Sequence, residues 1–533
     1  MRAKVKNSSA FLIETDAVTR LATLVEESTR SSQESIKYFL EPAPGVLNRA
    51  ISKRHHIIFG RRGSGKSSLL RKVVSDLTVN RTPIGYVDLE QFKGHSYPDV
   101  LISVLVKTLN EFKDWLDTAA INPASKTTFW KKLFGSAPKK GALNKNLSQQ
   151  LSGEIANMVV ELTAILTQAD EAKFTETNKV GIEHEDKTRA GVGATAYAVN
   201  ANLASEIAEK AQRSRETQTE YVHRKIEILH QNIMRYKDLF KRISEMSGGV
   251  SFLLLDDLYH IRRADQPHVV DYFHRIAKGS NLWLKVGTIR HRSKYYFLGD
   301  PPVGMKLGDD ADEIDLDITL EKFDSTKKFL MRIMEKFAAE CDVDLNEILT
   351  DGGKDRLILA SGGVERDFLT IFRRAVDVVR ERIHRNDLGR GGKIGAEDVN
   401  VAAGAVDDFK REDFNRDTES NEDRDTLLSH FTKIVEFCIN GAKANCFLIE
   451  KDYKGEDIRF IPDLVDFKFL HRAKSRVTVR NRKGRLYDAY MLDVSQYTGE
   501  RARKNFTIVK FWGQASDDSW RKLSYVFAEK DLA

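Results

Sequence analysis

Three glycines, two arginines, a lysine and serines packed into one short run set the chemistry this chain is equipped for. Gly60-Arg61-Arg62-Gly63-Ser64-Gly65-Lys66-Ser67-Ser68 follows the apolar stretch His56-Ile57-Ile58-Phe59 and fits the spacing G-x-x-x-x-G-K-[ST] in full. The glycines permit positive φ, so successive backbone N–H groups turn inward and cradle phosphate oxygens. A helix starting at Lys66 aims its positive end at the same anion. Lys66 is placed to reach the β- and γ-phosphates, and the Ser67 hydroxyl to ligate Mg²⁺. Gly60 through Ser68 are therefore the candidate nucleotide contacts.

Two further strand ends complete the chemistry. Leu253-Leu254-Leu255-Asp256-Asp257 is an apolar run closing in two carboxylates; Asp256 is assigned to the metal and Asp257 to polarising the attacking water. Leu282 to Gly287 runs into Thr288-Ile289-Arg290, where Thr288 is a candidate nucleotide contact and Arg290 a candidate catalytic sensor of the γ-phosphate. Later, Gly362-Gly363-Val364-Glu365-Arg366 reads as a glycine helix stop followed by a new helix start. Arg366 there would point at the nucleotide from a lid. Arg275 reads as a surface arginine before it reads as a finger for a neighbouring subunit.

The elements that must position these groups follow from hydrophobic spacing. Residues 1 to 45 read as a helical segment. The first core segment spans 46–112: the phosphate-loop strand and helix, a strand over Ile84 to Leu89, then a helix with Val100, Leu101, Val104, Leu105, Leu109 and Phe112 on one face. No sheet-like strand follows until Gly249, so 113–246 reads as an insertion. Val192, Ala194, Ala196 and Ala198 alternate as in a hairpin of small residues. Ile226, Leu229, Ile233, Tyr236, Phe240 and Ile243 form one seam on a long helix. That seam packs within the insertion or meets a partner helix.

The core resumes over 247–318, and a helical lid covers 319–408. A charged linker covers 409–425, and a last domain runs over 426–533. In that domain a helix precedes strands Arg476 to Arg480 and Leu486 to Leu492, joined by a hairpin turn. Lys468, Arg472, Lys474, Arg476, Arg480, Arg482, Lys483 and Arg485 crowd 468–485 with no acid between them. This basic run is the candidate duplex-DNA contact.

At 533 residues the chain needs several cores. Its net charge of +7 is mild, but Asp425 to Ala533 carries 20 Lys and Arg against 15 Asp and Glu, which concentrates the excess in the last fifth. Three cysteines lack metal-ligand spacing and read as free buried thiols. No run of about 18 apolar residues suggests a membrane span. The amino-terminal residues show no apolar leader pattern, so a cytoplasmic location is expected.

The set Gly60 to Ser67, Leu253 to Asp257, Thr288-Ile289-Arg290 and Gly362 to Arg366, in this order, resembles the AAA+ and STAND-type ATPases, especially bacterial and archaeal relatives of the origin-recognition initiators. The resemblance implies an α/β fold: a P-loop NTPase parallel sheet with a helical lid, a mainly helical insertion and a winged-helix-like carboxyl-terminal domain. It implies ATP and Mg²⁺ as cofactors. Asp257 stands where most AAA+ members carry glutamate, and the Asp-Asp pair is similar to STAND signalling ATPases, which implies slow hydrolysis. The expected function is an ATP-driven molecular switch in prokaryotic signalling or antiviral defence. Homo-oligomerisation, or a protein partner on the insertion, would go with it. A DNA-binding replication or transposition initiator, and an ATP-binding adaptor without turnover, are the alternatives.

Overall fold

A computed structural model describes residues 11–29, 34–79, 81–118, 144–188, 196–417, 421–498, 505–512 and 516–528. For 168–188 and 196–219 it describes the backbone path alone. The sheet that carries the site is parallel throughout. Its strands are β1 (His56–Phe59), β2 (Ile84–Asp88), β3 (Ser251–Asp256), β4 (Leu282–Thr288) and β5 (Asp312–Asp315), in the spatial order β2-β3-β4-β1-β5. β1 pairs with both β4 and β5, setting Phe59 beside Thr288 and Asp315. β1, β3 and β4 are buried along almost their whole length. This is why they read as near-continuous apolar runs, interrupted in β4 by Lys285, rather than as alternation. All five strands deliver their carboxyl ends to one edge, which collects the phosphate loop, Asp256 and Thr288 in a row. The fold is that of a P-loop NTPase.

The first helix, α1 (Asp16–Ser28), belongs to the lid core, while α2 (Lys66–Val79) and α3 (Asp99–Thr118) pack on the sheet. Two long helices, α4 (Lys145–Thr188) and α5 (Ala196–Met246), then build the insertion. Ala196 and Ala198 of the alternating set open α5 as helix, while Val192 and Ala194 lie outside the described residues. Alanine favours helix, and its alternation carries little weight for a strand. The seam of α5 is consumed at its root. Leu229, Tyr236, Phe240 and Ile243 are buried in the core under the sheet, and Phe240 meets Phe112 edge-on at 5.0 Å. On α6 (Gln266–Ala277), Tyr272 donates its hydroxyl to Leu229 O at 2.8 Å.

A second core joins the lid to everything after it. The lid comprises α7 (Phe323–Glu340), α8 (Asp351–Ser361) and α9 (Glu365–His384), continuing into α10 (Ala396–Asp417) and α11 (Asn421–Glu436). Val18, Leu21 and Val25 of α1 belong to this core as well. The stretch read as a solvated linker is helical on both sides of residues 418–420. Asp407, just ahead of it, and Lys410, at its start, are buried, so composition understated how far the polar face of α10 is enclosed. The last domain adds β6 (Cys446–Glu450), α12 (Ile461–Asp466), β7 (Leu470–Val477), β8 (Tyr487–Leu492), α13 (Ser516–Lys522) and β9 (Val526–Ala528). Its sheet order is β9-β6-β8-β7, with β9–β6 parallel and the rest antiparallel. A helix and a two-stranded hairpin are present, but the first hairpin strand is Leu470–Val477 rather than Arg476 to Arg480, β6 precedes it unforeseen, and α12 has only six residues. It faces the ATPase sheet, its Asp466 accepting the backbone N–H of His291 at 3.2 Å. Cys341, Cys438 and Cys446 are free and buried. Among the described residues no helix is long and apolar enough to cross a membrane.

Candidate nucleotide site

The loop between β1 and α2 takes its shape from glycines, where a side chain would bring strain or close contact. Gly63 and Gly65 sit at φ of 90° and 85°, and a Cβ on Gly60 would fall 2.2 Å from Ser64 Oγ. A Cβ on Gly63 would meet Arg366 Cβ at 2.7 Å, because the lid rests directly on the loop. The Arg366 N–H donates to Gly63 O at 3.1 Å.

Lys66 is buried, and its ammonium donates to Gly60 O at 2.8 Å and Arg61 O at 3.2 Å, 4.0 Å from Asp257 Oδ1. The loop's own carbonyls thus hold the lysine. Tyr86 donates its hydroxyl to Asp256 Oδ2 at 2.7 Å. The other oxygen, Oδ1, is buried without a partner. Gly287 makes room for it, since a Cβ there would come within 2.8 Å. Asp257 adopts a left-handed conformation at φ 55°, which aspartate tolerates better than most residues. Burial, followed by the charge of Asp256, pushes its carboxyl up to about 7 against the pull of Lys66.

Arg62, Gly63, Gly65, Lys66, Ser67 and Ser68 from the loop, with Asp257, Glu365 and Arg366, bound one cavity of about 120 Å³. Ordinary ligand pockets span roughly 300–1,000 Å³, so the lid stands closed on the loop. Ser67 and Asp256 offer hard oxygen donors. The unpartnered Asp256 oxygen suits Mg²⁺, which typically takes one or two carboxylates and completes its shell with phosphate oxygens and water. Among the described residues no cluster of three or more His, Cys, Asp or Glu forms a self-sufficient metal cage.

Among the solved structures that resemble this chain are two of low identity. One is a Walker-type ATPase, paby2304 of Pyrococcus abyssi, at 12% identity and TM-score 0.37, covering 85% of this chain and 93% of that one. The other is the Orc1 protein of Aeropyrum pernix in complex with DNA, at 14% identity and TM-score 0.28, covering 90% and 89%. No protein-family model and no curated protein matches the chain. At such distances the fold assignment rests on strand order and loop geometry.

Several expected contacts lie elsewhere. Arg61 is buried away from the cavity, its backbone N–H and guanidinium on Asp317 Oδ1 and its Nη2 on Ile318 O and Gly362 O. It clamps the loop to the entrance of the lid. Thr288 is fully buried, its hydroxyl bonded to Ser293 and its carbonyl to the Gly60 N–H. Arg290 turns to the edge of β5, pairing with Glu313 and Asp315 at 3.0 Å each, with its guanidinium 4.0 Å from the Phe59 ring centre. Arg275 faces His230 and Asp271.

Residues that spacing did not single out also line the cavity: Glu90, Tyr259, His260 and Glu365, along with Ser28 and Thr29. Glu365 Oε2 lies 3.1 Å from where a Cβ on Gly65 would stand. Burial pushes its carboxyl up to about 7, against Arg366. Arg366 donates its Nε–H to Thr29 O at 3.0 Å. Glu365 sits inside the quoted lid run, and its position beside the only arginine of that run was the available signal.

The basic run divides. Lys468 is buried and bonds Asp367 at 2.9 Å, so it is no nucleic-acid contact. Arg485 pairs with Glu450 at 3.3 Å and Arg472 with Asp488 at 3.8 Å. Arg480 pairs with Asp518. Arg472, Arg476, Arg480 and Lys483 are exposed, and Lys474 and Arg482 half-buried.

Proposed function

We propose that the chain binds ATP with Mg²⁺ at the phosphate loop, hydrolyses it slowly, and uses nucleotide state to set the lid and the domain behind it. The supporting observation is that the lid helix starts on the loop itself, through the Arg366–Gly63 bond. A triphosphate entering there displaces the lid. Lys66 exchanges its carbonyl partners for phosphate oxygens, and Asp257 holds or releases a proton near neutral pH beside the attacking water. When bound, Mg²⁺ held by Ser67 and Asp256 would neutralise charge on the phosphates. Hydrolysis is then positioning and electrostatics, with no covalent step asked of the protein. Such a cycle is that of a STAND/AAA+ switch, with the inserted arm as the surface for a partner or a second copy. Lys66→Ala should abolish ATP binding in calorimetry, and retained affinity would refute the site.

A DNA-bound, initiator-like role is the second reading, favoured by the exposed arginines and lysine of the β7–β8 hairpin. Replacing Arg482 and Lys483 with glutamate should weaken duplex binding and make its salt dependence shallower by about two charges. An unchanged gel-shift curve removes this reading.

A further inference from the structure

Behind the phosphate cavity a larger cleft, of about 820 Å³, opens between residues 259–264, the Arg292 turn and α12. It falls inside the volume range of ligand sites. Lys93, Arg262, Arg263 and Arg292 line it, against Asp423 and Asp463, so its walls are net positive. Tyr259, Phe460 and Phe467 supply aromatic surface. The Arg292 guanidinium lies 5.3 Å from the Tyr259 ring centre and 4.7 Å from that of Phe467, and so bridges the ATPase sheet to α12. Arg262 and Arg263 are exposed, held by single bonds to Gly94 O and His291 O.

We propose that this cleft is a second ligand site for the phosphate and base of a nucleotide, carried either by a free mononucleotide or by single-stranded nucleic acid. Guanidinium forks match phosphate oxygens in pairs, and aromatic rings accept any base by stacking. This mixture of rings and arginines suits neither an apolar helix nor a plain anion as well. The site is wired to the phosphate loop through one ring: Lys66 Nζ stands 5.8 Å from the Tyr259 centre and Arg292 approaches the same ring. An occupant that draws Arg292 away shifts Tyr259 beside Asp257 and changes turnover.

The test uses the full chain carrying Lys66→Ala, so that the phosphate loop is silenced. It is titrated with a fluorescent AMP analogue and, separately, with a labelled 12-residue oligothymidylate. At least one probe should bind, and which one identifies the source. Arg292→Ala should then weaken binding about tenfold or more. Because Arg292 also joins two regions of the fold, Arg262→Glu with Arg263→Glu is the companion variant, and it should weaken binding as much without shifting the melting temperature. The proposal is overturned if neither probe binds. It is equally overturned if binding survives both arginine variants, or if it is lost through Lys483→Glu instead of the cleft changes.

Discussion

The phosphate cavity and the seam between lid and carboxyl-terminal domain both bury charge, but they are finished differently. At the seam each acid has met a cation or a full set of donors. Asp493 takes Lys410 and His471 at 2.7 Å each, Asp367 takes Lys468, and Asp407 takes Arg411 and the Gln496 amide. Burial alone would raise the Asp493 carboxyl, but Lys410 and His471 overcome it and hold it well below the usual range. At the cavity the cations do not win: Asp257 has Lys66 at 4.0 Å but also the charge of Asp256 beside it, and Glu365 has Arg366 against full burial. Asp256 has a neutral tyrosine as its partner, and Asp257 and Glu365 are pushed up to about 7. Completed pairs mark architecture. Acids that burial pushes toward neutrality despite a nearby cation mark a place that awaits a further counter-charge.

The hardest blow to that contrast comes from the seam. Asp493→Ala strands a buried lysine and should cost about 3–5 kcal/mol, read as a lowered denaturation midpoint; an unchanged midpoint would show that the pairs are ornamental. At the cavity, Asp257→Asn should leave ATP binding intact and reduce phosphate release by about 10² or more, with little loss of stability. Undiminished release would mean that another group handles the water.

pH should separate the two regions by sign. Asp257 and Glu365 have folded values above their unfolded ones, so the folded chain holds extra protons between about pH 4 and 7. Their contribution is full below the unfolded values and declines as pH rises through about 7. Asp493 runs the other way: its contribution is present above its unfolded value, near about 4, and is lost as pH falls below it. Glu365→Gln should flatten the decline toward neutral pH and raise ATP affinity a few-fold, about 1 kcal/mol. A steeper decline would place the origin elsewhere. The smallest effect belongs to Arg290→Ala. Its ion pairs are partly exposed and worth up to about 1 kcal/mol, so turnover should stay within about twofold. A collapse in turnover would return Arg290 to the catalytic set.

The sheet and the gathering of loop, Asp257 and Arg366 about one cavity were legible because they depend on near-continuous apolar strands and on the spacing of glycines. Arg290 and Lys468 were not. A sequence shows that a side chain is charged but not that Glu313 or Asp367 will be waiting for it. The 409–425 stretch misled for a related reason: counting apolar residues misses enclosure achieved through polar partners, as at Lys410. Glu365 stood in plain view, but only the close approach of the lid to Gly65 turns it into a wall of the cavity.

The placement of α1 has a cost during biosynthesis. Val18, Leu21 and Val25 emerge well ahead of their partners in the lid core, which begin at Leu320. At about 5–20 residues per second the ribosome needs roughly 15 to 60 s to supply them. Until then the greasy face of that helix has no native mate, and a chaperone at the exit tunnel would find its target there.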